Sequence, residues 1–464
     1  MFSKHDTLFK MLLPGFWAVA CPWAVFTMDA DAATVNVHVK NFEFSPAKVT
    51  IHVGDTVNWI WDDPGHSVTF GSSCTQTPGG FDSGVLTAGS RSFTFNKSGQ
   101  FSYFCRPHCG VPMTGTVKVE AASSPPPTSN KPNAYIQTNL VSDRRLVPAT
   151  RTVDPKLLNA WGLVFNPKGP AWVADNGTNV STLYDGTGAK KSLTVTVRGM
   201  SPTGIVFSGI AGKFKDHSGD TSLFILATEK GTIDAWAPLP NGSLPTVTDT
   251  MAKTPGAIYK GLALAGSGTK QFLFATDFHN RRIDVFDTNF RRLRLPINSS
   301  KPGCKFADPK IPANFAPFAI QNLKGNLYVT YAKQDADKED DVAGPGNGFV
   351  NVFDVNGCFI RRVDSHGKLN SPWGLAIAPA DFGKFGNHLL VGNFGDGTIN
   401  AYDIAARKFR DQLRRPNGAI LKIDGLWALA FGNGVQQQPA KTLFFTAGPG
   451  DEKHGLYGRI EPKR

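Results

Sequence analysis

One short phrase returns six times in this sequence: WGLVF at Trp161, TGIVF at Thr203, KGLAL at Lys260, APFAI at Ala316, WGLAI at Trp373 and WALAF at Trp427. Successive copies lie 42 to 57 residues apart. Each is followed by an apolar run and then a second one, as in AWVADNGTNVSTLYD and HLLVGNFGDGTINAYD. Short strands at that period cannot bury both faces alone. Stacked radially they share a core and leave only short edges, which is a β-propeller. Two stacked sandwiches have no reason to repeat six times. A six-bladed β-propeller is therefore predicted over residues 134–464, with AYIQTNLV (134–141) joining the last blade to close the ring.

The rest of the 464-residue chain needs a separate account, since that length exceeds one ordinary domain. Residues 33–120 alternate apolar and polar positions in TVNVHVKNFEF, KVTIHVGDTVNWIW and TGTVKVE, with β-branched and aromatic residues. Short strands at this spacing predict a second all-β unit, a sandwich. Residues 121–133 are rich in Pro and Ser and read as an extended linker. Residues 1–32 read as a signal peptide: Lys4 and Lys10, an apolar run, then the small residues Ala30 and Ala32. Cys21 offers a lipoprotein cleavage site as the alternative. No second spanning segment follows, so no permanent membrane span is expected. The net charge is +12, but its basic strings are short and scattered. Without a recognition motif beside them, they predict no nucleic-acid partner.

Export makes the cysteines informative. Beyond Cys21 there are five: Cys74, Cys105, Cys109, Cys304 and Cys358. An odd number leaves one thiol unpaired or on a metal. The stretch FSYFCRPHCGVPMTG (101–115) places Cys105, His108 and Met113 on one loop as C-x2-H-x4-M. His66, in DDPGHSVTF after an earlier strand, supplies a second imidazole. Two imidazoles, a thiolate and a weak thioether suit one copper ion in both its oxidation states. Three rivals use some of the same residues. A structural zinc site wants four strong ligands. A Cys105–Cys109 disulfide leaves the histidines unexplained. A binuclear copper-A centre would use the C-x3-C of Cys105 and Cys109, but Met113 stands where it needs histidine. With Cys105 on copper, parity suggests the pairs Cys74–Cys109 and Cys304–Cys358. His38 and His52, in strand patterns, are expected to face solvent.

The stretch 34–120, with its four ligands in this order, resembles the small cupredoxins of the plastocyanin, pseudoazurin and amicyanin type. That resemblance implies a Greek-key sandwich with His66, Cys105 and His108 close to copper and Met113 axial. It implies His108 as the exposed electron port, ringed by Pro107, Val111 and Pro112. The repeats resemble NHL-type and lactonase-type propellers. NLVSD, NAWGLVF and VADNGTNVSTLYDG look like an uncharacterised bacterial family of exported propeller proteins. Some six-bladed relatives of that kind are calcium hydrolases. By that resemblance Asp175, Asn176, Asn393 and Asp424 are candidates for the axis, and calcium is a weakly supported second candidate after copper, the expected cofactor. The acidic loop 334–341 is a further calcium candidate, though it lacks the EF-hand pattern. Nitrous oxide reductase also joins a propeller to a cupredoxin. Its propeller needs clustered histidines, whereas His217, His279, His366, His388 and His454 are scattered here. Multicopper oxidases need His-x-His pairs, which are absent from the sequence.

The expected function is an electron carrier rather than an enzyme, periplasmic or secreted, bacterial, with a redox partner at the His108 face and an unidentified propeller ligand. The alternatives are a copper-binding scaffold without redox role and a calcium-dependent hydrolase carrying a cupredoxin accessory.

Overall fold

A computed structural model describes residues 34–53, 55–111, 113–120, 131–145, 150–267 and 270–463. The expected signal segment and residues 121–130 of the expected linker lie outside the described residues, as does Pro112. The chain divides into two compact units, residues 1–120 and 121–464. Among the described residues both are built of strands, with two single-turn 3-10 segments and no α-helix.

The first unit has two sheets. One is ordered Glu43–Ser45, Thr34–Lys40, Thr56–Trp61, Gly89–Thr94, and the other Lys48–His52, Thr114–Glu120, Gly99–Phe104, Thr69–Ser72, Thr75–Gln76. The alternation seen in sequence is the pleat. Val57, Trp59 and Trp61 turn inward, as do Val117 and Val119. Trp59 is fully buried and packs against Phe70, Phe81 and Tyr103. Each aromatic ring removes a large apolar area from water, so this small sandwich needs no helix to complete its core. Gly115 is required where it stands: a Cβ there would lie 2.2 Å from the Tyr103 ring.

The second unit is six sheets, antiparallel except where the short strand Thr152–Val153 lies parallel to Tyr135–Ser142. Their first strands are Ala160–Phe165, Pro202–Phe207, Tyr259–Ser267, Phe315–Leu323, Pro372–Ile377 and Leu426–Phe431. Each neighbours the next, and the last touches the first, so the strands form a ring. The strand Tyr135–Ser142 pairs antiparallel with Leu456–Pro462 in the last sheet. The chain's early strand thus closes the ring, as expected.

One frame needs correction. The pairing register shifts just after Ala160, Pro202, Tyr259, Pro372 and Leu426, and in the fourth sheet just after Pro317. Phe318, not Ala316, therefore corresponds to Trp161. The sequence frame is two residues out because APFAI ends in the same Ala-Ile as WGLAI, which aligns the wrong residues. At the position after Trp161 and its counterparts stand Gly162, Gly204, Gly261, Ala319, Gly374 and Ala428. A Cβ on Gly162 would lie 2.3 Å from the carbonyl oxygen of Thr203 in the adjacent sheet, so small residues are what let the blades meet.

Candidate metal centre

The strand Gly99–Phe104 delivers Cys105 into the core, and the following loop returns at Thr114. The loop is short and internally bonded. Cys105 N–H donates to the Met113 carbonyl (3.1 Å), His108 N–H to the Cys105 carbonyl (3.2 Å) and Val111 N–H to the His108 carbonyl (3.1 Å). His66 arrives from the other sheet after Trp61, whose indole N–H donates to the His66 carbonyl at 2.8 Å. Ser67 ties the two loops together. Its N–H donates to Cys105 Sγ (3.3 Å) and its Oγ accepts from the Arg106 N–H (2.9 Å). The Cys74–Cys109 disulfide adds a covalent tie.

The result is a convergence of soft donors. His66 Nδ1 lies 3.7 Å and His108 Nδ1 3.3 Å from Cys105 Sγ. The three ligand atoms fall within 4.8 Å of one another. Cys105 is fully buried and is the free cysteine among the described residues. Met113 is buried in the same apolar cluster as Cys105. His66 is 3 % exposed, whereas His108 is half-buried. Burial, and then the neighbouring His108, lower the His66 pKa, with Asp63 opposing. Both effects favour the neutral imidazole that a metal requires.

These residues fit copper. A buried thiol between two imidazole nitrogens, its sulfur accepting a backbone N–H and no carboxylate beside it, is the donor set of a copper–thiolate centre. The rivals fare worse. Cys109 is in a disulfide with Cys74, so it cannot supply the second thiolate of a copper-A centre or pair with Cys105. Cys304 and Cys358 form the second disulfide, as parity suggested.

The family model for copper binding proteins of the plastocyanin/azurin family matches residues 32–120. Plastocyanin of Scenedesmus fuscus is 33% identical over 87 residues, covering 17% of this chain and 86% of that one. The chain belongs, through these residues, to the plastocyanin/azurin family. A second likeness runs further. "Uncharacterized protein L690" of Acanthamoeba polyphaga mimivirus is 35% identical over 332 residues, 69% of this chain and 84% of that one. A match of that length must run through the propeller, and it places the chain in one family with a viral protein. Among solved structures, a streptogramin B lyase covers 71% of this chain and 97% of its own at 10% identity, with a TM-score of 0.41.

Beside this plastocyanin-like centre apolar side chains are exposed, with Arg106 the charged neighbour on the same loop. Val111 is 55% exposed and Pro107 is exposed. The sequence missed Phe42, which is 56% exposed and stands edge-on to His108 at 4.6 Å and to His66 at 5.8 Å. It sits outside any motif, in a turn where Asn41 and Phe42 both take positive φ. His38 faces solvent and bonds Asp62, while the side chain of His52 lies outside the described residues.

The calcium candidates do not gather. Asp175 is buried and accepts from Thr182 Oγ1 at 2.7 Å; burial holds its pKa well above the usual carboxylate range. Asn393 bonds Thr398 and the Lys368 carbonyl, and Asp424 is exposed and accepts from Gly450 N–H. These groups serve strand ends and turns rather than an ion. Asn176 donates to Glu229 at 3.0 Å. In the loop 334–341, Asp335 caps its own turn and Asp340 pairs with Lys260. Among the described residues no other group of three His, Cys, Asp or Glu ligand atoms converges as the copper residues do.

Proposed function

We propose that the chain is an exported electron carrier whose first unit holds one type 1 copper through His66, Cys105 and His108, with Met113 as a weak fourth ligand. The observation that carries this reading is the free, buried Cys105 thiol between two imidazole Nδ1 atoms. Bound copper would supply a one-electron couple; everything else falls to the chain. Ser67 N–H steadies the sulfur in its anionic form. The cross-tied loops hold the donors in place, so that little would need to move between oxidation states. Burial of His66 excludes water on one side, while half-buried His108 with Val111, Pro107 and Phe42 presents an apolar face. Transient redox contacts are small, and an apolar rim brings a partner close without stripping water from charges. Two disulfides support an oxidising compartment, periplasmic or extracellular, as the N-terminal segment also suggests. The propeller would dock a partner or a substrate.

The Cys105→Ser variant tests this assignment. It should lose the intense visible thiolate-to-copper absorption entirely, with the propeller still folded. Retention of the colour would remove Cys105 from the ligand set.

A further inference from the structure

The corrected frame shows what stands on the propeller axis. The residue preceding the small one in each first strand is Trp161, Thr203, Lys260, Phe318, Trp373 or Trp427. Trp161 stacks on Trp427 at 3.6 Å, and Trp373 meets both edge-on. Lys260 is the one charged member, and its side chain is 1% exposed. Its Nζ lies 2.5 Å from Glu229 Oε1, 2.8 Å from Asp340 Oδ1 and 5.0 Å from the centre of the Trp161 ring. Two carboxylates and an indole face are a recognition set for an ammonium group. This end of the axis therefore already encloses one.

The acidity there exceeds what Lys260 balances. Glu452 is held by Asn159, itself bonded to Trp427, and it feels the charges of Lys260, Glu229 and Asp340. Asp341 follows Asp340 in the chain and carries a second buried carboxyl, with Ser371 beside it and the Lys260 charge within reach. Beside them opens a cleft of 340 Å³ whose walls include Glu229, Glu339, Asp340, Lys230 and His279. His279 Nδ1 is sealed from solvent and unpartnered. A buried polar atom without a partner costs free energy that a ligand donor would recover. The cleft is large enough for a small organic molecule.

We propose that this cleft binds a small organic molecule through a primary ammonium group. A metal ion fits less well. Calcium needs six to eight oxygens at roughly 2.3–2.6 Å, and no three acidic or histidine ligand atoms converge at this cleft. The gap between Glu229 and Asp340 is already filled by Lys260. An ammonium needs only two or three acceptors, and it balances the surplus charge.

Calorimetric titration of the full chain with 1,5-diaminopentane tests the proposal, with 1-pentanol and calcium chloride as comparisons. Saturable binding of one diamine per chain is expected, with none for pentanol. Glu339→Gln and Asp340→Asn, both at the surface, should each weaken it about tenfold or more, and circular dichroism checks that each variant is folded. The proposal falls if the diamine does not saturate, if pentanol binds as well, if calcium displaces the diamine, or if both variants bind it with parental affinity.

Discussion

The metal centre and the propeller axis are both places where strands of a β scaffold deliver polar groups to one end, yet they differ in kind. At the metal centre two imidazoles meet a thiol, on loops tied together by Ser67 and a disulfide. At the axis hard carboxylates surround a lysine that the chain itself supplies. The donors of the first set converge on one point. The second has its cation built in and keeps a surplus of acid at its edge. Burial works in opposite senses. It lowers the His66 pKa and so favours the neutral imidazole a metal needs. Around Lys260 burial pulls the ammonium down, but Glu229 and Asp340 outweigh it and hold its pKa above the usual range. Convergence of donors, rather than their number, separates a metal site from a charged recognition site.

Trp427→Ala strikes the axis hardest. It removes a buried ring stacked between Trp161 and Phe394 and leaves Asn159 Oδ1 without its indole donor. A loss of about 3–5 kcal/mol is expected, read as an earlier propeller transition in denaturant while the copper absorption stays unchanged. Loss of both together would show that the two units do not fold independently.

Asp341→Asn sharpens the contrast between the two charge systems. Burial, opposed by Ser371 and Lys260 and reinforced by Asp340, pushes the Asp341 carboxyl up to about 6 from 3.8. Ionising it therefore costs the fold. Its contribution to stability is intact below about pH 4 and is lost as pH rises through 6. The Asn variant should gain up to about 3 kcal/mol at pH 7–8 and nothing at pH 4. Equal stability of parent and variant across that range would mean the carboxyl is not held neutral.

At the metal face the effects are kinetic. Val111→Asp should slow electron exchange with a redox partner about tenfold, by placing charge on the apolar rim, and leave the colour intact. Phe42→Ala should be the smallest of the set in stability, within about 1 kcal/mol, because the ring is largely exposed. Stopped-flow exchange on both variants locates the port: parental rates in each would move it off the His108 face.

Much of the metal centre was legible because it is local. Cys105, His108 and Met113 share nine residues, and parity of the remaining cysteines led to both disulfides. The period of the repeats likewise announced the ring and its closure by Tyr135–Ser142. The outermost strands were harder. Lys190–Thr196 and Phe359–Ser365 are half-exposed and carry no continuous apolar run, so they left no signal. Lys260 carries no local signal, because a charge at one position of a varied repeat looks like ordinary variation. Glu229, Asp340 and Glu452 lie in turns that follow strands of three different sheets, far apart in sequence. No spacing rule brings them together, and only the ring geometry does. Phe42 was hidden for the same reason, reaching the histidines from a turn outside the ligand loops.

The central claim is that the first unit carries one redox-active copper on a thiolate. A titration of the full chain with copper, followed by stepwise reduction and reoxidation under visible light absorption, tests it most directly. The account predicts an intense band that saturates at one copper per chain, bleaches with one electron equivalent and returns on oxidation. A copper-loaded, oxidised chain that stays colourless, or a band that does not bleach reversibly, would contradict it.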